Sequence, residues 1–219
     1  AEALQALVQH ADPHPPGYYL LLIAWCRLYG VSVVSLRGFS ATVSMLSLLA
    51  MYGLGCELGT LVHHQSARLT GLFAAALLAL APAEIMYAHE GRMYAQLGLC
   101  TILLLTLYAR LGLRRTAWRR WHWAALVLVE ALALYTHFFA VFLIASLALW
   151  MLARLLLQAR RGDRRPLLQW LISQLAVAAL YAPWLPVTLE RAAGHVTGTT
   201  YVPPLGQFAS QVWSFLLSG

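Results

Sequence analysis

Six apolar runs, each close to the thickness of a bilayer, divide this chain and leave few folds open to it. They are Leu36 to Gly55, Leu69 to Tyr87, Tyr94 to Leu113, Trp121 to Thr136, Phe138 to Leu157 and Leu167 to Val187. A hydrocarbon core of about 30 Å is crossed by about 20 apolar residues in a helix, which satisfies its own backbone hydrogen bonds where water cannot. The fourth run is the shortest, and only His137 separates it from the fifth. One helix through both would be far too long to span once, so the chain must turn there. The expected fold is all-α: a polytopic transmembrane helix bundle with about six spans. Composition agrees, since 61% of residues are hydrophobic and 11% charged, outside the range of a soluble domain. Cys26, Cys56 and Cys100 lie inside apolar segments without CxxC spacing, so neither a disulfide framework nor a zinc site is indicated.

The opening "DPHPPGYYLLLIAWCRLYG" behaves differently. Tyr18 to Trp25 is uninterrupted only up to Cys26 and Arg27, and even Tyr18 to Tyr29 covers little more than half the hydrocarbon thickness. It reads as an interfacial helix started by Pro15 and Pro16, because proline is tolerated in a first turn. Residues 1–35 are thus expected to be the end of an outer loop and this helix, residues 36–187 the six spans, and residues 188–219 an outer loop leading into a surface helix. In that last segment Phe208, Val212, Phe215 and Leu216 oppose Gln207, Ser210, Gln211 and Ser214. With no initiator methionine and an end soon after an apolar stretch, the chain reads as an excerpt of a longer protein.

All fifteen basic residues are arginine. Eleven fall in three loops: Arg68; Arg110, Arg114, Arg115, Arg119 and Arg120; Arg154, Arg160, Arg161, Arg164 and Arg165. These loops alternate correctly to share one side, which the positive-inside rule makes cytoplasmic. Topogenic arginines explain the net charge of +7 better than nucleic acid does, since the aromatics interleaved with them are only Trp118, Trp121 and Trp123, which read as an interfacial belt.

The opposite, outer face then collects the chemistry. "DPHPP" (Asp12 to Pro16), "AHEGRMY" (Ala88 to Tyr94) and "YTHFF" (Tyr135 to Phe139) all fall there, with Glu84 close by. Histidine and arginine donors at headgroup depth suit a phosphate, which arginine grips with two parallel hydrogen bonds. A nearby carboxylate can hold a divalent ion or take a proton from a hydroxyl. Asp12 and His14, with His10, have a suggestive spacing for such an ion. The plainer alternatives are that Glu90 and Arg92 satisfy one another, with Glu90 favouring a positive helix N-terminus, and that His137 caps a helix. Glu130, in the middle of "LVLVEALALYTH", must be neutral or paired within the bundle. Seven residues before His137 on roughly the same face, it could form with it the relay of a transporter or channel subunit; a non-catalytic membrane scaffold is a third reading.

The ordered set "DPHPPGYYLLLIAW", "SLRGFSATVSMLSLL", "LAPAEIMYAHEGRMYAQLGL" and "LALYTHFFAVFLIA" resembles the integral-membrane glycosyltransferases of the GT-C type, specifically bacterial relatives of protein O-mannosyltransferases and aminoarabinose transferases. The likeness runs from Asp12 to about Leu157. It implies a GT-C-like, inverting enzyme of the bacterial cytoplasmic (inner) membrane with its active face outward. Such an enzyme takes a sugar from a polyprenyl-phosphate lipid and passes it to a hydroxyl acceptor on a protein, lipid or glycan. It also implies donor-phosphate contacts from His14, Arg92, Tyr94 and His137, and catalytic roles for Glu90 and Arg92. "HEGRMY" matches the "QEARMY" turn of many relatives, with Gly91 in place of alanine. The family's presumed base, an aspartate of the first outer loop, would lie upstream of Ala1, so the excerpt alone is expected to be inactive. A divalent metal ion held by Asp12 and His14 is the one cofactor anticipated.

Overall fold

In a computed structural model, residues 15–62, 66–113 and 119–196, with Gln207 and Ser210, are described. Among them every regular element is helical: α1 (Gly17–Tyr29), α2 (Val33–Val62), α3 (Ala67–Ala79), α4 (Pro82–Glu90), α5 (Tyr94–Leu113), α6 (Arg120–Thr136), α7 (Ala140–Arg160), α8 (Arg165–Tyr181) and α9 (Leu185–Val196), with a 3-10 turn (Ala182–Trp184) joining the last two. Four helical stretches are long and apolar enough to cross a bilayer: Val33–Val62, Tyr94–Leu113, Ala140–Arg160 and Arg165–Glu190. A fifth forms if α3 and α4 count as one broken span.

Three differences from the sequence expectation have local causes. The second run, expected as one span, bends by 62° between α3 and α4. Ala81 is extended and Pro82 opens α4, where its missing N–H costs nothing but cannot continue α3. The fourth run gives α6, whose 17 residues rise only about 25 Å, short of a full crossing. At the far end the chain is helical through Thr188 to Val196, not a loop. The surface-helix residues Phe208, Val212, Phe215 and Leu216 lie outside the described residues.

α1 has the start after Pro15–Pro16 and the short length expected of the opening helix. Tyr18 and Trp25, two turns apart, both put their rings 5.7 Å from the same residue, Phe39 of α2. These contacts, with the bond that the Trp25 indole donates to the Ser35 carbonyl at 3.0 Å, fasten α1 to the start of α2. Gly30, with φ of 81°, reverses the chain and donates its N–H to the Cys26 carbonyl at 2.9 Å.

The closest packing is between α2 and α3, where Gly55-x-x-x-Gly59 meets Ala67-x-x-x-Gly71. A Cβ on Gly55 would stand 2.7 Å from the Gly71 Cα, one on Gly59 2.8 Å from the Ala67 Cα, and one on Gly71 2.7 Å from the Tyr52 carbonyl oxygen. Lipid tails are as apolar as leucine, so such backbone contact, not hydrophobic exclusion, holds membrane helices together. The lipid-facing surface is correspondingly apolar: Leu69, Phe73 and Leu77 form an exposed stripe along α3, and Leu168, Ile172 and Leu175 another along α8.

Polar side chains turn inward. Glu130 of α6 is fully buried among Leu104, Tyr108, Leu126 and Met151, which are fully buried too. The Tyr108 hydroxyl donates to its Oε1 at 2.6 Å and the Gln174 amide to its Oε2 at 3.0 Å, so one carboxyl ties α5 and α8 to α6. Near the arginine-bearing end the Arg110 Nε donates to Glu57 Oε1 at 2.7 Å, joining α5 to α2. Arg110 is therefore a packing residue.

Candidate functional site

At the end of the bundle away from the Arg110–Glu57 pair, the start of α1, the α4–α5 turn and the end of α6 meet. Pro15, Pro16, Gly17 and Tyr18 are buried there. The Tyr18 hydroxyl donates to the Gly91 carbonyl at 2.6 Å, fixing the start of α1 to the turn between α4 and α5. Burial pushes the Tyr18 phenol up, keeping it a neutral donor. Gly17 lies so close to the end of α6 that a Cβ would stand 2.6 Å from the Tyr135 carbonyl oxygen. Only glycine allows that approach.

The α4–α5 turn is shaped by Gly91, whose φ of 67° is left-handed. Glu90 therefore ends α4, which removes the alternative that it favours a helix N-terminus. A carboxylate is disfavoured by the negative end of the helix dipole. The Arg92 guanidinium, 3.8 Å from Glu90 Oε1 and 61% exposed, offsets it. So loose and exposed a pair contributes little to stability and leaves the guanidinium's donors open to solvent.

Behind Arg92 the ring of Tyr94 packs 4.9 Å from Tyr87 and 6.0 Å from His137. His137 is extended (φ −155°), which ends α6, and its Nδ1 accepts the Phe139 N–H at 3.1 Å as α7 begins. An accepting Nδ1 places the neutral ring's proton on Nε2. The capping role considered for His137 is thus present, alongside its position next to Tyr94. Beneath the two rings the Gln96 amide donates to Thr136 Oγ1 at 2.6 Å; Gln96 is only 3% exposed, and its Oε1 has no hydrogen-bond partner among the described residues. A buried acceptor of this kind calls for a donor.

Glu90, Arg92, Tyr94 and His137 thus share one cluster. Asp12 and His14 lie outside the described residues, and among the described residues no group of three or more His, Cys, Asp or Glu side chains is placed to hold a metal ion. Glu130 is apart: one helix with His137 separates them by seven residues, about 10 Å, and both Glu130 oxygens are taken by Tyr108 and Gln174. Tyr18, Gln96 and Thr136 were not singled out in the sequence; polar residues just inside the ends of apolar runs were the available signal. Comparison with protein-family models, with curated proteins and with solved structures gives no match.

Proposed function

We propose that this chain is part of a membrane glycosyltransferase that moves a sugar from a polyprenyl-phosphate donor to a hydroxyl acceptor at the outer face of the bacterial inner membrane. The observation that carries the reading is the convergence of Gly17–Tyr18, Gly91–Tyr94 and Thr136–His137 at one end of an apolar bundle, with the exposed Arg92 in the same turn. A lipid-borne phosphate resting at headgroup depth meets Arg92 there, while its tail lies along apolar helices.

In the reaction the bond from the anomeric carbon to the phosphate oxygen breaks as the bond to the acceptor oxygen forms, with inversion. The acceptor's proton goes to a general base, which the resemblance assigns to an aspartate of the family's first outer loop, and the polyprenyl phosphate leaves with the bonding electrons. Negative charge grows on the leaving phosphate, where the Arg92 guanidinium and the His14 imidazole contribute most. Glu90 keeps a loosely paired carboxylate near Arg92, and Tyr94 and His137 pack on one another in the same cluster. Gln96 Oε1 is an acceptor suited to a sugar hydroxyl. Were Asp12 and His14 to hold a divalent ion, it would supply further positive charge at the same phosphate.

The test is transfer by the full-length protein from defined polyprenyl-phosphate sugars. Arg92→Ala and His14→Ala should each lower turnover about tenfold or more, with the helical content unchanged. Undiminished transfer by both variants removes the phosphate-site assignment.

A further inference from the structure

A second feature lies at the arginine-bearing end, away from the cluster above. Between α2, α5 and α7 runs an apolar groove of about 360 Å³, open along one side. Leu54 and Leu58 form one wall, Tyr108 and Ala109 the floor, and Leu147 and Trp150 the other wall. From Leu105 to Leu113 it follows α5 for about 12 Å, close to the depth of one leaflet.

The groove is a built feature. Tyr108 is immobilised by its bond to Glu130, and Trp150 is seated on Gly112, where a Cβ would collide with the indole ring. One turn further along α7, the exposed Arg154 holds its guanidinium 5.5 Å from the centre of the Trp150 ring. Arg110 at the neighbouring rim is neutralised by Glu57, but among the described residues Arg154 has no carboxylate at ion-pair distance. Arg160, Arg161, Arg164 and Arg165 follow, against the single acid Asp163. An apolar slot one leaflet deep, capped by a cation lacking a counter-charge, matches one kind of molecule: a lipid with an acyl chain and an anionic head.

We propose that this groove binds an anionic phospholipid of the surrounding leaflet, its acyl chain lying between Leu54 and Trp150 and its phosphate on Arg154. The surface charge of such a site selects for the headgroup, and basic pockets between membrane helices are suited to it. The assignment does not depend on glycosyl transfer.

The test places the full chain in nanodiscs containing phosphatidylcholine doped with brominated phosphatidylglycerol or brominated phosphatidylcholine, and reads the quenching of Trp150 as the difference between wild type and Trp150→Phe. Brominated phosphatidylglycerol should quench at about fivefold lower mole fraction, the factor one arginine contributes near a membrane surface. Arg154→Gln should abolish that preference, and Ala109→Phe, which fills the floor, should weaken quenching by both lipids. Native mass spectrometry of the wild-type chain, which needs no variant, should show phosphatidylglycerol retained over phosphatidylcholine. Equal quenching by the two lipids, or a preference that survives Arg154→Gln, would overturn the proposal. So would displacement of brominated phosphatidylglycerol by equimolar polyprenyl phosphate, since the groove would then belong to the sugar donor's tail.

Discussion

The α2–α3 seam offers a sharp test of what holds this bundle together, because one sequence motif contains both the perturbation and its control. Gly53, Gly55 and Gly59 all lie in α2, yet a Cβ on Gly53 would meet nothing within 4 Å. On Gly55 it would stand 2.7 Å from the Gly71 Cα and 2.9 Å from the Thr70 carbonyl oxygen. Backbone cannot swing aside as a side-chain tip can, so the helices must separate by about 0.7 Å to restore ordinary contact near 3.4 Å. Overpacking of this kind costs about 1–3 kcal/mol. Gly→Ala within a helix otherwise gains about 0.5–1 kcal/mol, because alanine loses less backbone freedom. Gly53→Ala should therefore be neutral or stabilising, while Gly55→Ala, Gly59→Ala and Gly71→Ala should each lose about 1–2 kcal/mol net. Reversible unfolding of the detergent-solubilised chain by increasing dodecyl sulfate, followed by circular dichroism, measures all four. If Gly55→Ala and Gly71→Ala track Gly53→Ala, the seam does not carry the packing and the argument fails.

Two further predictions use the polar ties. Glu130→Ala orphans the Tyr108 hydroxyl and the Gln174 amide and should cost about 1–3 kcal/mol in the same titration. Glu130→Gln, which can still accept from Tyr108, should cost under about 1 kcal/mol; equal losses for both would show that the partners are not what matters. Tyr18→Phe removes the donor to the Gly91 carbonyl and should speed amide exchange at Arg92 and Met93 severalfold while leaving the centre of α5 unchanged. Uniform exchange along that whole region would mean the bond does not anchor the turn.

Much of the candidate site was legible because its residues interrupt apolar runs. Glu90 and Arg92 cannot sit in hydrocarbon, so they marked the turn between two helices, and His137 marked the next one for the same reason. Their local placement was less legible: a turn or a helix start was open to Glu90, and it closes α4 because Gly91 adopts a left-handed conformation that hydropathy does not encode. The 62° bend before Pro82 was likewise hidden, since α3 and α4 together have the length and apolarity of one span. Gly55-x-x-x-Gly59 was present in the sequence as a packing signal, but which helix it would meet was not.

By itself, then, the sequence determined that the segments are apolar helices and which polar residues interrupt them. These follow from solvent alone, as hydrocarbon forces backbone groups to pair within each segment and expels charge to its ends. Only the tertiary structure decided that Glu130 is held by Tyr108 and Gln174, that Arg110 answers Glu57, and that Tyr18 fastens the first helix to Gly91. Those partners lie 22 to 73 residues apart, and among helices equally at home in lipid the choice of neighbour rests on close backbone approach and a few hydrogen bonds.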